Sequence, residues 1–174
     1  EGEILDLLGE YDADLIVLAR YMRILSPDVV FRFEDRIINI HPSLLPAFPG
    51  AKAYRQALEE GVRIAGVTAH YVTTDLDQGP IITQRAFDVP DSADIQTMKE
   101  RGQPLEADAL LEAVRLHLNG DVSVHRGRTQ LREQSGSYQL GLSREARDAN
   151  PDRPVDGLGE IVAGSPAGEE SADD

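Results

Sequence analysis

The stretch Ile37-Ile38-Asn39-Ile40-His41-Pro42-Ser43-Leu44-Leu45-Pro46 constrains this chain more than any other. Residues 36–40 read as a short buried strand, branched apolar side chains with one polar interruption. A strand repeats every two residues, so Asn39 and His41 point the same way, roughly 7 Å apart along the chain. Pro42 lacks a backbone donor and stops the ladder. An amide and an imidazole thus stand side by side at a strand end, where open parallel sheets bind ligands. An amide donor beside an acid–base group suits a carbonyl that is becoming an oxyanion. The same pair could also serve structure alone, by capping loose backbone groups.

A second stretch favours chemistry: Ala69-His70-Tyr71-Val72-Thr73-Thr74-Asp75-Leu76-Asp77-Gln78-Gly79-Pro80. Together the two resemble the folate-dependent formyltransferase family. That family carries Asn-x-His-x-Ser-x-Leu-Pro and then His-x-Val…Asp-x-Gly-Pro. Here the matching positions are Asn39, His41, Ser43, Leu45 and Pro46, then His70, Val72, Asp77, Gly79 and Pro80. His41 and Asp77 are 77 − 41 = 36 positions apart, the spacing of the family.

The chain has 174 residues, 41% of them hydrophobic, enough for one ordinary core. It has no apolar run long enough to span a membrane. It opens on Glu1-Gly2-Glu3 without a basic segment, so no secretory signal is expected, and Ile4 already reads as mid-domain, as in a fragment. With no cysteine there are no disulfides, thiolate zinc sites or cysteine nucleophile. A net charge of −14 argues against nucleic-acid binding. Lys52 and Lys99 are the only lysines, and this acid-rich composition suits a cytoplasm of high salt. Residues 133–174 hold three Arg and ten Asp or Glu, 3 − 10 = −7, with many small residues. They are expected to form an acidic disordered tail behind a catalytic domain of residues 1–132.

Along that domain, residues 3–10 read as the end of a helix, with Ile4, Leu7 and Leu8 at helical spacing. Residues 14–19 form an apolar run, the mark of a strand covered on both faces. Ser26-Pro27 opens a helix, so strand, helix and the strand at 36–40 make a right-handed parallel unit. A helix over 52–60 follows the proline-rich loop. Residues 63–72 and 80–89 form an antiparallel hairpin around a tight acidic turn at 73–79. A helix over 94–118 is expected to break at 102–104, and 122–125 with 129–131 form a small terminal pair.

The resemblance implies an α/β fold: a formyltransferase-type, mostly parallel open sheet of Rossmann-like kind, incomplete on its N-terminal side, with a C-terminal edge hairpin. The family's early strands, its nucleotide-phosphate loop and a regulatory module have no counterpart in this sequence. A sheet lacking those strands would expose an apolar edge beside residues 14–19. The implied roles follow residue by residue. Asn39 would hold the formyl oxygen as negative charge grows, and His41 would donate there or relay a proton. Asp77 would orient a nucleophile or hold His41 protonated; alone it would read as a turn residue. His70 and Thr68 would support them from behind, His70 by orienting Asp77 or a water. Folate would lie against Met22, Arg23, Ile24 and Leu25, with Thr73 and Asp75 completing the pocket. Arg23 could otherwise pair with Glu34 or Asp35. His117 and His125 receive no role, and nothing suggests a metal site.

The substrate so implied is 10-formyltetrahydrofolate, with no bound cofactor, no nucleic acid and no membrane; homo-oligomerisation stays open. Two reactions occur in the family. In one, water attacks the formyl group, giving formate and tetrahydrofolate. In the other, an amine of glycinamide ribonucleotide attacks. Gly50-Ala51-Lys52-Ala53-Tyr54 and Thr68-Ala69-His70-Tyr71-Val72 look like the hydrolytic branch, as does the ending Val122-Ser123-Val124 with Arg128-Thr129. The run from His41 to Pro46 looks like the amine-transferring branch. The expectation is the hydrolytic reaction, with amine transfer and a catalytically silent folate-binding remnant as alternatives.

Overall fold

The computed structural model describes residues 2–19, 21 and 23–132, so the expected acidic tail lies outside the described residues. Four strands form an open sheet in the order β1 (Ile16–Leu18), β2 (Ile37–His41), β3 (Ile64–Tyr71), β4 (Ile81–Asp88). The α/β class stands, but the balance of pairing differs from a mostly parallel sheet. β1 and β2 are parallel, while β2–β3 and β3–β4 are antiparallel. The proline-rich loop and α3 (Ala53–Glu59) stay at the end of the sheet where β2 finishes. β3 therefore starts there and runs back, with His41 opposite Thr68 and Asn39 opposite His70. The short turn after β3 then permits only an antiparallel return, since a parallel one needs a long crossover.

The two faces of the sheet differ in chemistry. Ile38, Ala69, Tyr71 and Ile82 form a core with Ala113 of α4 (Ile95–Leu118). A bulge leaves Ile82 unpaired between Thr83 and Ile81, so Ile82 and Thr83 are both buried. The Thr83 hydroxyl donates to Ala109 O, 2.8 Å away. On the other face, Ile37 packs with Val29 and Phe33 at α2 (Pro27–Arg32) and with Leu5 and Leu8 of α1 (Gly2–Glu10). Leu5 and Leu8, rather than Ile4 and Leu7, meet the core; Ile4 and Leu7 are exposed. β1 is shorter than the apolar run 14–19, and Val17 is 41% exposed rather than covered. β5 (Val122–His125) and β6 (Arg128–Leu131) form a separate hairpin, tied to the sheet by a bond from the Thr129 hydroxyl to Ile81 O.

α4 does not break at residues 102–104: it runs through both Gly102 and Pro104. Pro104 removes one backbone bond of the helix. Burial of Met98 before it and of Ala109 and Ala113 after it holds both halves on the sheet. Gly102 is there for packing. A Cβ at Gly102 would sit 1.8 Å from the Tyr54 hydroxyl, which donates to Glu106 Oε1 at 2.7 Å and joins α3 to α4. Gly102→Ala should therefore destabilise the fold by about 1–3 kcal/mol in chemical denaturation. Tyr54→Phe in the same chain should return part of that loss. Additive losses in the double variant would show that the ring and the glycine are not in contact.

Candidate functional site

Asn39 and His41 lie on one face of β2, and their neighbours on β3, His70 and Thr68, lie on the same face because directly opposed residues share a side. His41, Thr68 and His70 are 5%, 0% and 2% exposed. His41, Thr68 and His70 thus make a compact buried patch that must find its hydrogen bonds inside the protein, beside the half-buried Asn39.

Asp77 reaches this patch from a distance. Its turn leaves β3 beyond Ile38, the strand position opposite Tyr71, and folds back over the face. Gly79 makes the fold-back feasible, since a Cβ there would come within 1.7 Å of Tyr71 O. Asp77 itself is left-handed, φ 54°, a conformation that a short polar side chain tolerates. Its carboxylate is 6% exposed. Oδ2 accepts the Gly50 N–H at 2.7 Å and lies 3.5 Å from His41 Nδ1; Oδ1 lies 3.9 Å from His70 Nε2.

The partners fix the protons. His41 Nε2 is 2.9 Å from Phe48 O, and a carbonyl only accepts, so Nε2 carries hydrogen. Nδ1 then faces the Asp77 carboxylate. His70 Nδ1 donates to Tyr71 O at 2.9 Å, which leaves its Nε2 as an acceptor. The Asn39 Nδ2 amide donates to that nitrogen at 3.4 Å. Burial holds the His70 pKa below the usual imidazole value, against the Tyr71 carbonyl and Asp77, which raise it; nearby His41 lowers it further. Neutral His70 therefore turns the amide side of Asn39 toward itself and leaves the second amide hydrogen for another acceptor.

The structure brings Asn39, His41, Asp77 and His70 together. His70 contacts Asn39 more closely than Asp77, the partner first expected for it. The Thr68 hydroxyl does not hydrogen-bond to these side chains; it binds the loop after β2 at Ser43 and Leu45. Of the expected folate positions, Met22 lies outside the described residues. Arg23 and Ile24 are exposed, Ile24 at 71%, while Leu25 packs partly on the Val29, Phe33 and Ile37 cluster. Among the described residues Arg23 has no ion pair with Glu34 or Asp35. The Thr73 hydroxyl donates to Asp75 O within the turn, at 3.2 Å, and Asp75 is exposed. Since β1 is parallel to β2, the segment after Leu18 emerges at the end of the sheet where Asn39 and His41 stand. Among the described residues no cluster of three or more His, Cys, Asp and Glu is placed to hold a metal ion. Sequence reasoning missed Phe48 O and Gly50 N, backbone groups of two residues that are themselves left-handed, φ 52° and 79°.

The chain matches the Formyl transferase family model over residues 1–114. It is 50% identical over 129 residues to the formyltetrahydrofolate deformylase of Bacillus subtilis, which covers 74% of this chain and 43% of that protein. It is 43% identical over 106 residues to the phosphoribosylglycinamide formyltransferase of the same organism, covering 61% and 54%. A crystal structure of a formyltetrahydrofolate deformylase from Pseudomonas syringae superposes with a TM-score of 0.74 at 42% identity, over 76% of this chain and 44% of that one. The chain thus spans about half the length of the curated relatives it matches. With most of the described domain inside the matched stretch, and the Asn39, His41 and Asp77 motif residues meeting at one point, this chain belongs to the formyl transferase family.

Proposed function

We propose that this chain carries the catalytic centre of an enzyme that hydrolyses 10-formyltetrahydrofolate to formate and tetrahydrofolate. The observation that carries the reading is the buried Asp77 carboxylate 3.5 Å from His41 Nδ1, with the Asn39 amide on the same face. Higher identity over a longer stretch to a deformylase than to a transferase supports water as the nucleophile.

In the proposed mechanism Asp77 takes a proton from a water as its oxygen bonds to the formyl carbon. Charge builds on the formyl oxygen, and the second amide hydrogen of Asn39 stabilises it. His41 spends Nε2–H on Phe48 O and turns Nδ1 to Asp77, so it holds the carboxylate in place and shares its proton. The C–N10 bond then breaks and the proton taken from water returns to N10. Arg23 to Leu25, with Thr73 and Asp75, flank the folate in this reading, and Met22 joins them. The enzyme works in the cytoplasm with a small folate as its partner. Its net charge of −14 fits high internal salt. The unfolding midpoint should then rise with KCl concentration; a flat response would exclude that part of the reading.

Amine transfer is the second reading, favoured by the His41 to Pro46 run. Formate released from 10-formyltetrahydrofolate without an amine supports hydrolysis. Turnover only with glycinamide ribonucleotide means transfer, and binding without turnover means a silent folate-binding protein. In the active enzyme Asp77→Asn should lower kcat by about 10²–10⁴ with KM little changed. A raised KM with kcat intact would make Asp77 a binding residue.

The His70 assignment fixes a pH dependence. Its folded pKa lies below the unfolded value of 6.5, so the folded protein binds fewer protons there. Stability is therefore full above 6.5 and falls as pH drops through the folded value. Kcat should fall over the same window, as a protonated ring no longer accepts from Asn39. Denaturation from pH 7.5 to 5 should show a loss in the parent that His70→Gln lacks, while His117, also depressed by burial, contributes equally to both. Identical profiles would mean that the His70 pKa does not change on folding.

A further inference from the structure

The loop after β2 supplies both backbone groups that hold the His41–Asp77 pair: Phe48 O accepts from His41 and Gly50 N–H donates to Asp77. Two glutamine side chains grip this loop on either side of those groups. Gln84 stands on the edge strand β4 opposite Thr68. Its Nε2 amide donates to Leu45 O at 3.1 Å and to Thr68 Oγ1 at 3.0 Å. Thr68 Oγ1 accepts the Leu45 N–H at 3.1 Å and donates to Ser43 O at 2.7 Å. Both backbone groups of Leu45 are therefore held by side chains, as a strand would be held by its neighbour. The Ser43 hydroxyl carries the restraint onward to Ala47 O at 2.5 Å. At the far end Gln56 of α3 donates from Nε2 to Pro49 O at 3.1 Å and to Ala51 O at 2.9 Å.

The sheet below leaves no slack. A Cβ on Gly66 would meet Leu44 Cδ2 at 2.6 Å and Arg85 O at 2.2 Å, so the loop lies directly on β3 there. Ser43 and Leu45 are buried. Neither glutamine touches His41, Asn39 or Asp77, and the residue Gln84 is itself exposed. Their partners are backbone groups of the loop and, for Gln84, also the Thr68 hydroxyl that binds the loop.

We propose that Gln84 and Gln56 are positioning residues that set the proton arrangement of the His41–Asp77 pair by holding the loop at both ends. The amide of Gln84 acts through Leu45 and Thr68, and that of Gln56 through Pro49 and Ala51. Without them Phe48 O and Gly50 N lose their fixed places, and the hydrogens on His41 and the charge on Asp77 lose their orientation. The link to catalysis rests on the reading of His41 and Asp77 given above; the link to the His41 protons does not.

The experiment records nitrogen-15 spectra of the four histidine rings in the full chain as pH is varied. His41→Gln identifies the His41 signals. The variants are Gln84→Met and Gln56→Met, which keep side-chain length and remove the donor. Gln96→Met, whose partner Glu100 lies on the same helix, is the control. The parent should show a protonated His41 Nε2 with slow hydrogen exchange. In Gln84→Met and Gln56→Met that exchange should speed by about three- to tenfold, as each variant loses the two hydrogen bonds that its amide makes. Cooperative unfolding should be retained. In active enzyme kcat should fall by a similar factor with KM unchanged. Unaltered His41 signals in both variants would overturn the inference whatever the turnover. Altered signals in a chain without formate release would uphold it and remove the hydrolytic reading instead.

Discussion

The Gly50 N–H, 2.7 Å from Asp77 Oδ2, joins two segments that reach the sheet face by separate connections. One is the loop after β2 and the other is the turn after β3. A carboxylate that is 6% exposed must have partners, because an unpaired buried charge costs several kcal/mol. Gly50 and His41 are those partners, so the turn settles only where the loop offers its donor. His41 in turn needs Phe48 O of the same loop. The pair, the loop and the turn are therefore linked through shared contacts.

The division of the sheet into two faces keeps this unit apart from the core. Strand periodicity sends Ile38, Ala69 and Tyr71 to α4 and Asn39, Thr68 and His70 to the other side. Tyr71 shows how complete the separation is. Its ring packs in the core, and its hydroxyl pairs with His117 Nδ1 at 2.8 Å, near the end of α4. Burial raises the Tyr71 pKa to about 12 and lowers that of His117, which favours the neutral form of both.

Much of this was legible in the sequence where a short-range rule applied. Period two set Asn39 beside His41, and Gly79-Pro80 marked the turn that carries Asp77. The hairpin 63–72 with 80–89 followed from two strand-length runs around a tight acidic turn. What the sequence hid was set by contacts between distant segments. Phe48 O and Gly50 N are backbone groups with no side-chain signature. Gln84 and Gln56 do not titrate and look like surface polar residues. The direction of β3 depended on where the loop and α3 lie, which spacing alone leaves open. The continuity of α4 through Gly102 and Pro104 depended on burial of Met98, Ala109 and Ala113, and Gly102 is matched to Tyr54, some fifty positions earlier. Local propensity pointed to a break there, and tertiary packing overrode it.

The central claim is that His41 and Asp77 act as one unit. A double-mutant cycle on formate release tests it directly, with His41→Asn, Asp77→Asn and the two combined. If the pair is one device, the double variant is about as slow as the slower single variant, because the first change already dismantles it. If the two losses multiply, the residues work independently, and the shared proton between Nδ1 and Oδ2 is not what drives the reaction.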